Sequence, residues 1–179
     1  MGGGSWTTKA FSDYTSHSRG VSLDEFDTMS FSAQEFYTSR RLDAALNPKG
    51  VMRECCDSEE HPHTVPVILA LDVTGSMGGA AVQVAKKLNE IMTDIYADNS
   101  VKDVEFCVMG IGDLAYDDAP IQMSQFESDI RIAEQLDKMY FEGGGGGNNY
   151  ESYTAAWYMG LNHCKLDCWD RERYHHHNG

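Results

Sequence analysis

The sequence predicts an α/β fold built on a parallel sheet, and three observations predict it. Residues 65–71, VPVILAL, are a short continuous apolar run rich in branched side chains, ended by Asp72-Val73-Thr74-Gly75-Ser76. A run without alternation, bounded by turn residues, marks a strand buried on both faces. Ala81, Val84, Leu88, Ile91, Met92 and Ile95 then recur at spacings of three and four, with Lys86, Lys87, Glu90 and Asp94 elsewhere on the wheel. That is an amphipathic helix. A second apolar run, residues 104–111, VEFCVMGI, closes on Gly112-Asp113. Strand, helix and strand in this order make a βαβ unit with a parallel pair.

The other elements follow from the same patterns. The turn at Tyr116-Asp117-Asp118 leads into residues 119–126, an expected antiparallel partner on the sheet edge. A second helix is expected over 127–140, with Ile130, Ala133, Leu136 and Met139 or Tyr140 as its stripe. Five glycines at 143–147 precede Asn148-Asn149 and a third helix carrying Tyr150, Tyr153, Trp157 and Leu161 on one face. Aromatics at helical spacing read as core. Residues 1–64 read as a partly ordered arm and a charged connector (51–64), and residues 65–179 as the α/β domain. The arm scatters Phe11, Tyr14, Phe26, Phe31, Phe36 and Tyr37 among polar residues, with a short helix or two within 24–41. Those aromatics are expected to pack on the domain.

Composition narrows the function. The chain has 179 residues, 41% hydrophobic and 23% charged, which suits a globular domain. Lys plus Arg is 14 against 28 for Asp plus Glu, a net charge of −14. That field disfavours nucleic acid and anionic membrane surfaces, and favours a divalent cation or a basic protein. No run is long enough for a membrane span, and the N-terminus lacks a basic start and an apolar stretch. The five cysteines form no disulfide framework, which is read as reduced thiols in a cytoplasmic protein.

The candidate site is Asp72-x-Thr74-x-Ser76, at the C-terminal end of the first buried strand. Ligands in open α/β sheets bind outside such ends. A helix begins directly after it, with its free N–H groups and positive dipole end at the same place. One carboxylate and two hydroxyls on one turn are hard oxygens of the kind Mg²⁺ prefers. The glycine run permits close approach of its loop. Asn148 and Asn149 then offer amide oxygens that complete an oxygen shell if the loop lies near Asp72. Asp113 ends the second parallel strand on the same rim, as a further anion at the site or as the cap of its own turn.

These residues carry a family resemblance. Residues 66–77, PVILALDVTGSM, resemble the opening strand and metal loop of von Willebrand factor type A domains. The metal-ion-dependent adhesion site of that family reads Asp-x-Ser-x-Ser, and Asp72, Thr74 and Ser76 match it with Thr for the first Ser. FEGGGGGNNYESYTAAWYMGL resembles the family's second loop and helix, with Asn148 where a Thr would stand and Glu151 or Ser152 as further candidate ligands. The resemblance covers about residues 65–161. It implies a doubly wound three-layer α/β/α sandwich with a mostly parallel sheet and an antiparallel edge strand. It also implies Mg²⁺ (or Mn²⁺) at the site, and a protein partner that presents an acidic side chain to the metal. The expected role is a non-enzymatic protein-binding module, an intracellular adaptor. The family's third loop follows a further core strand, expected after Cys168, where this chain stops. The first strand is therefore expected as an open edge: the arm covers it, a partner or second copy pairs with it, or the chain is a fragment, and the alternative role is a metal-free assembly module pairing through that edge.

Other chemistries fit less well. Asp72-Val73-Thr74-Gly75-Ser76 is close to the nucleophile motif of haloacid-dehalogenase-like phosphotransferases, and Gly112-Asp113-x-x-x-Asp117 to their late acidic motif. The acidic motif comes too early in the chain, and the glycines have no task there. Val73 interrupts any aspartic-protease Asp-Thr-Gly, and the glycine run lacks the Lys of a P-loop. Cys55, Cys56, His61 and His63, or His163, Cys164, Cys168 and residues 175–177, lack paired zinc spacing.

Overall fold

The computed structural model describes residues 5–97, 101, 103–142 and 152–169. Strand β2 (Val65–Asp72) lies parallel to β3 (Val104–Ile111), with Val65 opposite Val104 and Asp72 opposite Ile111. Strand β4 (Ile121–Met123) is antiparallel to β3, so the order is β2-β3-β4. The βαβ unit and its antiparallel neighbour are thus present as the patterns predict. A second, two-stranded parallel sheet joins β1 (Arg53–Cys55) to β5 (Cys164–Leu166). The first of these strands sits inside the segment expected as a connector.

Burial follows position in the sheet. All eight residues of the central β3 are buried. Strand β2 is only half-buried and Ala70 is exposed, because β2 is an edge strand rather than one covered on both faces. Side chains alternate across the sheet. Val104, Phe106 and Val108 join one core cluster, with Leu71 and Val73. Cys107, Met109 and Ile111 join the other, with Ile68 packed against it.

The first cluster takes helices α4 (Gly78–Lys86), α5 (Leu88–Ala97) and α6 (Arg131–Asp137). The single helix expected through residues 81–95 is broken at Lys87, whose amide still bonds to the Gln83 carbonyl at 2.9 Å. The arm covers the same face. Its helices are α1 (Thr8–Arg19), α2 (Leu23–Thr28) and α3 (Ala33–Phe36). Ser22 with Glu25, and Ser32 with Glu35, close capping boxes that start α2 and α3. Trp6, Phe11, Phe26, Phe36 and Tyr37 are buried, and Tyr37 stacks on Phe141 with ring centroids 4.5 Å apart. The arm therefore lies over α4 and α5 and leaves the outer edge of β2 without a strand among the described residues.

Arg53 fastens the small sheet to the main one. Its guanidinium donates to the Ala45 carbonyl at 2.7 Å and to the Met123 carbonyl of β4 at 2.6 Å. The second cluster takes helix α7 (Thr154–Asn162) through Ala155 and Met159. The face of α7 expected in the core points outward instead: Tyr153, Trp157 and Leu161 are exposed. Small Ala155 and flexible Met159 approach the sheet where larger aromatics would not fit.

Candidate functional site

The chain turns sharply where β2 ends. Val73 stays in the ladder, its amide bonded to the Ile111 carbonyl at 2.9 Å. Thr74 leads into one 3₁₀ turn, Gly75–Met77, and α4 starts at once. Helix α4 packs closely on the arm. A Cβ on Gly78 would sit 2.6 Å from that of Ala33.

This turn brings the three predicted oxygens together. Asp72 Oδ1 accepts from the Thr74 amide at 2.8 Å and from the Thr74 hydroxyl at 2.5 Å. The Thr74 and Ser76 hydroxyl oxygens are 3.4 Å apart. Neighbouring oxygens around a six-coordinate Mg²⁺ lie about 2.9 Å apart, given metal–oxygen distances near 2.1 Å. The three side chains are hard-oxygen donors on one turn, which fits such an ion in type. The N-terminus of α4 has no side-chain cap and adds positive dipole beside the same oxygens.

The second carboxylate oxygen is engaged from across the molecule. Tyr153, just before α7, donates its hydroxyl to Asp72 Oδ2 at 2.6 Å. Its helical spacing predicts a core position for this aromatic, and its place after the glycine run is the sequence signal that puts it near the site. Ser152 beside it accepts from the Leu114 amide at 3.3 Å. Together they tie the start of α7 to the rim at β2 and β3.

Asp113 stands on that rim, two residues past the register partner of Asp72. It is 4% exposed, and its Oδ1 accepts from the Ala115 amide at 2.8 Å, capping its own turn. Its amide donates to Asp117 at 2.7 Å. Nearby, Glu142 accepts from the Asp118 amide at 2.8 Å. Burial and the charges of Asp117 and Asp118 push the Glu142 carboxyl above its ordinary range. Asn148, Asn149 and Glu151 lie outside the described residues, as do the glycines, Tyr150 and residues 175–177.

Among the described residues, no three His, Cys, Asp or Glu side chains gather to hold a metal. Cys55, Cys56, His61 and His63 accordingly form no such group, and the candidate centre rests on one carboxylate and two hydroxyls. No helix among the described residues is long and apolar enough to cross a membrane. The chain matches no family model, no curated protein and no solved structure.

Proposed function

We propose that this chain is a divalent-metal-dependent protein-binding module of the von Willebrand A type, acting by binding rather than catalysis as a cytoplasmic adaptor. In this reading the βαβ unit belongs to a doubly wound three-layer α/β/α sandwich. The observation that carries it is the convergence of Asp72 Oδ1 with the Thr74 and Ser76 hydroxyls at the strand end.

Those three residues would hold Mg²⁺ or Mn²⁺. Bound there, the ion supplies a positive centre with an open position, which inverts the local sign in a chain of net charge −14. An acidic side chain of a protein partner is the matching group. Asp72 supplies the charge, and its Thr74 amide bond fixes the carboxylate plane. Asp113, with Asn148, Asn149 and Glu151 of the glycine-rich loop, are the remaining candidates to neighbour the ion.

The test is thermal unfolding with and without metal. Saturating Mg²⁺ at 100 times its Kd stabilises the folded state by about 2.7 kcal/mol. For a chain of this size that raises Tm by roughly 5–10 °C. The rise is expected in the wild type and absent in Asp72→Ala. Equal rises in both proteins would place the ion elsewhere and overturn the reading.

A further inference from the structure

Among the described residues, strand β2 carries an unpaired outer backbone edge and an open apolar face side by side. The Val65 amide bonds to Asp103 and the Val73 amide to Ile111, both at 2.9 Å. In a parallel strand each residue directs its N–H and C=O to the same side, so the odd-numbered residues face β3. The outward groups are the Pro66 carbonyl and the N–H and C=O of Ile68, Ala70 and Asp72. No strand pairs with them among the described residues. Pro66 sits where a missing N–H costs no bond to β3. Pro66 is the one edge-blunting residue in residues 65–71, which contain no charge.

A cavity of about 430 Å³ runs beside this edge, on the face of Ile68 and Ala70. Its walls include Trp157 (78% exposed), Leu161 (63%) and Trp169 (37%). Asp72, at one end, is the one charged residue lining it among the described residues. A helix laid here would cover the apolar walls and leave the outward amides unpaired. An extended strand satisfies both, because its backbone pairs along β2 while every second side chain drops into the groove.

Charge selects between a second copy and a different protein. Two copies would each bring a net charge of −14 to the contact. A basic protein is drawn in by the same field. We infer that the outer edge of β2 and the Trp157–Trp169 groove receive an extended, uncharged apolar strand from a net-basic partner protein. The contact uses the backbone of β2 and not the Asp72 carboxylate, so it stands independently of metal binding.

The experiment titrates the full chain with a synthetic peptide: a Val-Thr repeat of about six residues with two lysines at each end. Tryptophan emission reports it, since Trp157 and Trp169 line the groove while Trp6 is buried in the other cluster. The expected result is a saturable blue shift. Ala70→Pro removes one outward amide and leaves the bonds to β3, and should weaken binding at least tenfold. Trp157→Ala should do the same, and serves if Ala70→Pro does not fold. N-methylating the peptide's alternate amides, or exchanging its lysines for glutamates, should also weaken binding at least tenfold. Binding that survives Trp157→Ala and the methylated peptide unchanged, or no shift at all, would overturn the inference. So would a dimer, seen by light scattering, that Ala70→Pro or Trp157→Ala dissociates, because a second copy would then own the edge.

Discussion

The Tyr153 hydroxyl donates a 2.6 Å hydrogen bond to Asp72 Oδ2, closing the side of the carboxylate that the Thr74 turn leaves open. A bond to a charged acceptor is worth about 1.5–3 kcal/mol. An ion drawing on both carboxylate oxygens competes with it. Tyr153→Phe should therefore tighten Mn²⁺ binding about three- to tenfold, less than the full bond because water replaces part of it. Isothermal titration of the two proteins measures the difference. Weaker binding in Tyr153→Phe would make the hydroxyl a supporter of the site rather than a competitor.

The arm should contribute substantially to stability through Arg19. Its guanidinium pairs with Asp137 at 2.6 Å, donates to the Phe36 carbonyl at 2.9 Å and lies 4.0 Å over the Phe36 ring. Tyr14 also donates to Asp137, at 2.7 Å. Arg19→Ala should cost about 3 kcal/mol in urea unfolding, since it strands a largely buried carboxylate. Burial already holds the Asp137 carboxyl above its ordinary range, with Arg19 opposing that rise. A raised carboxyl binds its proton more tightly in the folded state, so acidification through that pKa favours folding. Removing Arg19 raises it further, and the deficit of Arg19→Ala should shrink as pH falls from 7 toward 5.

Gly78 and Gly79 are adjacent glycines with opposite expectations. A Cβ at Gly78 would meet Ala33 at 2.6 Å, whereas one at Gly79 has nothing within 4 Å. Gly78→Ala should destabilise by about 1–2 kcal/mol through forced separation of α3 and α4. Gly79→Ala should be neutral or stabilise by up to about 1 kcal/mol. Chemical denaturation of both variants checks the contrast.

The five thiols should separate into two groups. Cys55, Cys107 and Cys164 are buried, while Cys56 and Cys168 are partly accessible, and none is in a disulfide. Burial pushes the Cys107 thiol up to about 12 and the Cys164 thiol up to about 11, and raises Cys55 as well. Burial, with Asp167 beside it, raises the Cys56 thiol too, so access to the reagent rather than thiolate supply divides the two groups. A thiol reagent at pH 8 should modify Cys56 and Cys168 quickly and the other three only on unfolding. Peptide mapping of the modified protein identifies the sites.

What was legible in the sequence depended on how local its signal is. Residues 65–71 and 104–111 announce strands through continuous apolar runs, but only β3 is buried throughout while β2 is a half-buried edge, which the run alone does not distinguish. The turn at Asp72, Thr74 and Ser76 was legible because all its oxygens lie within five residues. Strands β1 and β5 have three residues each and owe their form to each other and to Arg53, so no periodicity reveals them. Helix α7 was read with its faces exchanged, because Trp157 and Leu161 outweigh Ala155 and Met159 on any hydrophobic pattern. Tyr153 reaches Asp72 across 81 positions of sequence, and only the folded sheet brings them together.

The most direct test of the metal reading is a calorimetric titration of Mg²⁺ and Mn²⁺ into chelator-stripped protein, with Asp72→Ala alongside. Saturable one-to-one binding by the wild type, lost in the folded variant, is the predicted result. No binding by a folded wild type, or equal binding by Asp72→Ala, would contradict it.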